Sequence, residues 1–139
     1  MTASGCERTV LVVEDDADIR GAIVEVLTDG NYRPLVASNG ADALDELRSA
    51  AFPPCVILLD VMMPVMDGTE FRTRQRDDET LRVIPVVVLS AHADATHLAE
   101  QMAAEGFLKK PVDLVTLLQT VEQFCARDSA PPANEGPTE

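Results

Sequence analysis

The chain predicts an α/β fold, a doubly wound, five-stranded parallel sheet of order 2-1-3-4-5 with helices on both faces. Three observations lead there. Short apolar runs alternate strictly with segments whose apolar residues recur at helical spacing, five of each. The strongest runs are apolar at successive positions, as strands covered on both faces must be. Four of the runs end in polar or charged residues, and in a parallel sheet such ends share one edge. Right-handed crossovers leave few topologies. The order chosen sets the runs ending at Asp15 and Asp60 side by side near the centre.

The elements follow in order. Thr9-Val10-Leu11-Val12-Val13 is a β-branched strand that ends in Glu14-Asp15-Asp16. Ile19, Ala22, Ile23, Val26 and Leu27 form the face of a first helix, with Gly30 as its C-terminal cap. Pro34-Leu35-Val36-Ala37 is a weaker strand, and its proline suits an edge, where a missing N–H costs little. Asn39-Gly40 opens a helix carrying Ala43, Leu44 and Leu47. Pro53-Pro54 breaks the chain before Cys55-Val56-Ile57-Leu58-Leu59-Asp60, a buried strand closed by a carboxylate. An Asp67-Gly68 turn precedes a polar helix around Glu70 to Arg74. Pro85 to Leu89 is the fourth strand, ending in Ser90-Ala91-His92. Ala95, Leu98, Ala99, Met102 and Ala103 form the face of a fourth helix. Gly106 to Lys109 is a short fifth strand, and Leu114, Leu117, Leu118, Val121 and Phe124 line the closing helix. One folded domain is expected over residues 9–125. Residues 1–8 form a flexible N-terminus, and 126–139 a tail with too little apolar surface to order itself.

Composition narrows the function. The 139 residues carry a net charge of −13, 24 acidic against 11 basic, so the basic footprint of a nucleic-acid binder is missing. No apolar run approaches the roughly 18 residues of a membrane span, and no signal peptide is visible, so the cytoplasm is the expected compartment. Three widely spaced cysteines, Cys6, Cys55 and Cys125, fit neither a disulfide framework nor a zinc pattern.

The strand ends build a site. The first brings Glu14 and Asp15, the third Asp60, the fourth Ser90, and the fifth Lys110 through a turn fixed by Pro111. Singly, each has an ordinary reading: a helix cap, a solvated strand end, a surface lysine. Together they place three carboxylates in one cleft, where two unit charges about 4 Å apart repel by about 4 kcal/mol at an effective dielectric near 20. A hard divalent cation relieves that cost, and carboxylate oxygens suit Mg²⁺. Asp15 and Asp60 are expected as direct ligands, Glu14 through a water, and the backbone carbonyl of Met62 as a further donor. A metal, a lysine and a hydroxyl around one aspartate describe phosphoryl chemistry. Asp60 is the expected acceptor, with Lys110 and Ser90 holding the transferring oxygens, and Lys110 pairs with Asp60 when no phosphoryl group is present.

These motifs resemble the receiver domain of two-component response regulators, over about Thr9 to Phe124. The matching segments are Val10 to Asp16, Leu58 to Pro64 with Asp67-Gly68, Val88 to Ala91, and Lys109-Lys110-Pro111. The resemblance implies a CheY-like, flavodoxin-like (βα)5 receiver fold, which also informs the strand order. It implies phosphorylation of Asp60 by a histidine kinase or histidine phosphotransfer protein, with Mg²⁺ as cofactor. Lys110, which precedes Pro111, matches the family lysine. Ser90 stands where threonine is commoner, and Phe107 matches the switch aromatic, although a ring on a short strand can also be plain core. Met62 and His92 match positions that influence the lifetime of the acyl phosphate, and the small Ala91 leaves room for a donor.

Such a chain is a phosphoacceptor switch rather than an enzyme in the usual sense. A dehalogenase-like phosphatase needs a second aspartate where Met62 stands. A flavodoxin-like electron carrier would find its phosphate repelled by Glu14-Asp15-Asp16. A non-phosphorylated receiver-like adaptor, and a receiver fragment of a larger regulator or hybrid kinase, are the remaining alternatives. The expected output surface is the fourth helix, fifth strand and fifth helix, from His92 to Gln123.

Overall fold

The computed structural model describes residues 8–63, 65–91 and 95–129. Five strands and five helices alternate: β1 (Thr9–Val13), α1 (Ala17–Asp29), β2 (Arg33–Ala37), α2 (Gly40–Ser49), β3 (Val56–Asp60), α3 (Gly68–Arg76), β4 (Val86–Ser90), α4 (Ala95–Gln101), β5 (Gly106–Lys109) and α5 (Leu114–Ser129). All strand pairs are parallel, in the order β2-β1-β3-β4-β5. Among the described residues, no helix is long and apolar enough to cross a membrane.

Strand alternation divides the core in two. Leu11, Val13, Ile57, Leu59, Val86 and Val88 face α2, α3 and α4, where Ala43, Leu44, Leu47, Phe71 and Ala99 meet them. Val10, Val12, Val56, Leu58, Val87 and Leu89 face α1 and α5, against Ile23, Leu27, Leu117, Val121 and Phe124. β1, β3 and β4 are buried along their whole length, which is why their sequence shows no alternation. β2 and β5 lie at the edges and are half-exposed, and Pro34 sits in β2 as an edge strand allows.

Local chemistry sets the boundaries. Asp16, Asn39 and Asp67 cap α1, α2 and α3, each accepting backbone N–H bonds from the first turn. Gly30 takes the cap position of α1, but at φ −86, and the left-handed residue is Asn31, at φ 68. Gly30 is bare for space: a Cβ there would stand 3.1 Å from Leu118 Cδ1 and 3.3 Å from the Tyr32 ring.

Two expected boundaries move. α4 stops at Gln101, and Ala103 turns left-handed at φ 53, so Met102 and Ala103 lie past the helix instead of on its face. α5 continues through Ser129, so the stretch expected to be disordered from Ala126 is helical over its first four residues. Ala126 and Arg127 are good helix formers and extend it. Cys55 and Cys125 are both buried in the α1/α5 layer, while Cys6 and His92 lie outside the described residues.

Candidate functional site

The sheet register brings the predicted residues together. Val13 pairs with Leu59, so Glu14 and Asp60 leave neighbouring strands at the same level. Asp60 in turn pairs with Leu89, one residue before Ser90, and Ser90 pairs with Lys109, one before Lys110. The backbone N–H of Lys110 donates to the Ser90 carbonyl at 2.9 Å, and a cis peptide joins Lys110 to Pro111. Glu14, Asp15, Asp60, Ser90 and Lys110 line one open cleft of about 510 Å³ with Asp16, Ile19, Met62 and Ala91.

Within the cleft, three carboxylates and one ammonium form a tight group. Lys110 Nζ lies 2.8 Å from Glu14 Oε1 and 3.2 Å from Asp60 Oδ1. Glu14 is fully buried and Asp60 nearly so, while Asp15 is exposed at the mouth. Burial and the charge of Glu14 push the Asp60 carboxyl up to about 7, against the opposing pull of Lys110. Burial works to lower the Lys110 pKa, but the contacts with Glu14 and Asp60 outweigh it and raise it. Asp60 therefore holds its negative charge at a cost, and the lysine offsets only part of it.

The acidic triplet after β1 splits into three jobs. Asp16 turns away to cap α1, accepting from the N–H groups of Asp18 and Ile19. Glu14 points inward, with Oε1 against Lys110 and Oε2 accepting from the Asp16 N–H at 3.1 Å. Glu14 Oε1 is buried, and the Lys110 ammonium at 2.8 Å is what balances its charge. Asp15 stays in the cleft. One oxygen from each of Glu14, Asp15 and Asp60 lies within 4.8 Å of the other two. An all-oxygen, net negative donor set of this size suits a small hard cation, so the residues fit Mg²⁺.

Two supports lay outside the sequence reading. Arg20 Nη1 donates to the Glu14 carbonyl at 2.8 Å, fastening the end of β1 to α1. Nothing in the helical pattern of Ile19 to Leu27 marks that arginine. Gly68 packs against the end of β3: a Cβ there would stand 2.6 Å from the Asp60 carbonyl oxygen and 2.9 Å from Val61 Cα. The Asp67-Gly68 pair predicts a turn, and this close approach is the additional reason for its glycine. Of the two adjacent lysines, Lys109 is exposed on the edge strand and Lys110 enters the site. Phe107, on β5 opposite Val88, is 40% exposed and so is not a core ring.

The response regulator receiver domain model matches residues 10–122. The chain belongs to the response regulator receiver family. Response regulator Rre1 of Synechocystis is 30% identical over 88% of the chain, which spans 53% of Rre1. Among solved structures, chemotaxis response regulator CheY4 of Vibrio cholerae is 32% identical, covering 84% of this chain and 97% of its own, with a TM-score of 0.75. The phosphorylated cyanobacterial phytochrome response regulator RcpA is 28% identical, covering 87% and 96%, with a TM-score of 0.73. The fold is thus the flavodoxin-like receiver fold, and the receiver belongs to two-component signalling. Receiver domains of this family are signalling switches that bind Mg²⁺ at an acidic site and interact with histidine kinases and downstream targets.

Proposed function

We propose that this receiver takes a phosphoryl group from phosphohistidine, on a histidine kinase or histidine phosphotransfer protein, onto Asp60, and that the modification switches a protein-binding surface. The observation that carries the reading is the contact of Lys110 with both Asp60 and Glu14 at the cleft floor. In the transfer the donor's P–N bond breaks as a P–O bond forms to Asp60. The imidazole nitrogen keeps the bonding electrons and takes a proton from solvent. Water later attacks phosphorus, returning the carboxylate and inorganic phosphate.

Each residue has a part in that step. Asp60 presents an oxygen to the open side of the cleft. Lys110 moves from the Asp60 carboxylate to a phosphoryl oxygen, so its charge is already in place when the transition state needs it. Ser90, at the end of β4, hydrogen-bonds another phosphoryl oxygen. Asp15, Asp60 and the Met62 carbonyl would hold Mg²⁺ directly, and Glu14, already engaged through both oxygens, through a water. The ion, when bound, neutralises charge on the transferring oxygens.

Ser90 and Phe107 are the proposed switch pair. Phe107 stands on the edge strand with its ring partly in solvent, and an inward turn would change the surface formed by α4, β5 and α5. That surface is the proposed contact for a downstream protein, and the cytoplasm the proposed compartment. The phosphorylated state of RcpA supports the same chemistry here by likeness.

Incubation with ³²P-acetyl phosphate and Mg²⁺ tests the assignment. Label should appear, should be lost in hydroxylamine as an acyl phosphate is, and should be absent from Asp60→Asn. Undiminished labelling of Asp60→Asn would remove Asp60 as the acceptor.

A further inference from the structure

α3 and α4 leave an open cavity of about 360 Å³ between them, within the size range of small-ligand sites. It shares no lining residue with the cleft that contains Asp60. Thr69, Arg72, Thr73 and Arg76 form its α3 wall, and their spacing puts them on one stripe of the helix. Leu98 and Met102 give it an apolar wall on the α4 side.

Arg72 sets this cavity apart from an ordinary groove between helices. Its side chain is only 7% exposed, and a buried guanidinium is costly unless its donors are used. Three of its five N–H groups donate, Nε to the Met102 carbonyl, Nη1 to Gln75 Oε1 and Nη2 to the Ala103 carbonyl. Glu105 Oε1 stands 3.8 Å from Nη2, beyond hydrogen-bond reach, and accepts from the Val86 N–H at 2.7 Å. One N–H on each terminal nitrogen is thus left without an acceptor among the described residues. Arg76 follows one turn along, exposed, and makes no ion pair or hydrogen bond among the described residues.

Two guanidiniums four residues apart on one helix face repel each other. Burial lowers the pKa of Arg72; Glu105 opposes that shift and Arg76 adds to it. Asp77 is the one carboxylate among the described lining residues, so the lining is net positive in a chain of net charge −13. An anion between the two guanidiniums would take the spare donors of Arg72 and pair with Arg76. A planar carboxylate holds both oxygens in one plane and satisfies one guanidinium fork. A phosphate monoester points three oxygens in three directions and carries up to two charges, which suits two forks on separate residues. We propose that the α3–α4 cavity binds a small phosphate monoester, with the phosphate between Arg72 and Arg76 and the organic part against Leu98 and Met102. Because Arg72 also holds the carbonyls at the end of α4, the bound ester braces that turn as well.

Phenyl phosphate is the probe, titrated in EDTA so that no divalent cation fills the Asp60 cleft. Nitrogen–proton spectra follow the backbone amides and Arg72 Nε. Shifts should saturate, centre on residues 69–77 and 98–105, and include Arg72 Nε. Inorganic phosphate should move the same signals with about fivefold weaker affinity, because it has no ring to bury. Arg76→Gln, at an exposed position where the fold should be kept, should weaken phenyl phosphate about tenfold. Arg74→Gln removes the same charge outside the cavity, where Arg74 pairs with Glu70 at 3.2 Å, and should change affinity less than about twofold. Equal weakening by the two variants would reduce the effect to the overall charge of α3 and overturn the site. Shifts that rise without saturating, or that scatter beyond these residues, would overturn it too. Benzoate binding as tightly as phenyl phosphate would overturn the choice of a phosphate ligand.

Discussion

Lys110 Nζ stands 3.2 Å from Asp60 Oδ1, and the pair is bridged at its back by Glu14, 2.8 Å from the same ammonium. One positive charge thus serves two buried carboxylates. The arrangement leaves the site short of positive charge, which a small divalent cation would offset.

That shortage has a pH signature. The Asp60 carboxyl is raised from 3.8 to about 7 in the folded state, so the folded protein binds this proton more tightly than the unfolded chain. Stability from this group is present below about pH 4 and is lost as pH rises toward 7. Asp60→Asn has no such loss. In the absence of divalent cations its advantage over the unaltered chain should be small near pH 4, grow through pH 7, and level off above, at about 1–3 kcal/mol after allowing for the lost lysine contact. Urea melts at pH 4.5, 6 and 8 check this, and an advantage that shrinks with rising pH would contradict the electrostatic account.

Mg²⁺ should reverse the cost. An ion that binds the native cluster and not the dispersed carboxylates stabilises by about 2.7 kcal/mol at a hundredfold excess over its Kd. The melting temperature at pH 8 should therefore rise in millimolar Mg²⁺. Asp15→Asn removes an exposed donor without disturbing the Lys110 contacts, so it should keep the fold and lose most of that rise. A variant that responds as fully as the unaltered chain would take Asp15 out of the ligand set.

The sheet was legible because each buried strand is an uninterrupted apolar run and each turn carries its own chemistry. The Val10 to Val13 and Val56 to Leu59 runs could be little else once Glu14 and Asp60 closed them. That Asp60, Ser90 and Lys110 share one edge followed from parallel strands, and their adjacency from a strand order that the receiver resemblance also informs. What could not be read was set by tertiary contact. Arg72 looked like one charge on a polar helix, yet it is buried. Its Nε donates to the Met102 carbonyl at 2.8 Å, its Nη2 to the Ala103 carbonyl, and its Nη1 to Gln75 Oε1 at 2.7 Å. Those carbonyls sit where α4 ends and the backbone turns left-handed at Ala103, so the arginine satisfies acceptors that the helix leaves free, which no local signal announces. The α5 boundary failed for the opposite reason: the scarcity of apolar residues from Ala126 onward predicts disorder, although Ala126 and Arg127 favour helix and α5 runs through Ser129.

Arg72 should accordingly be a structural weak point. Arg72→Met keeps the aliphatic stem but leaves two carbonyls at the end of α4 and the Gln75 side chain without their donor. The cost should be about 2–4 kcal/mol, with Arg72→Lys recovering little because a single ammonium cannot match three separated acceptors. Chemical denaturation measures both. Hydrogen exchange should show the loss concentrated around residues 98–105, and a uniform loss across the sheet would argue against the clamp.

Two glycine-to-alanine substitutions separate close packing from helix propensity. At Gly21, inside α1, an added Cβ meets nothing within 4 Å, so alanine should stabilise by about 0.5–1 kcal/mol through propensity alone. At Gly68 the same methyl would press on the Asp60 carbonyl oxygen and Val61 Cα, both backbone atoms that cannot rotate away. Gly68→Ala should cost about 1–3 kcal/mol. It should also slow acetyl phosphate labelling, because the strand end that must move is the one bearing Asp60. Thermal melts and labelling rates read the two effects separately. If Gly68→Ala lost stability but labelled at the unaltered rate, the α3 start would be a packing contact that does not position the acceptor.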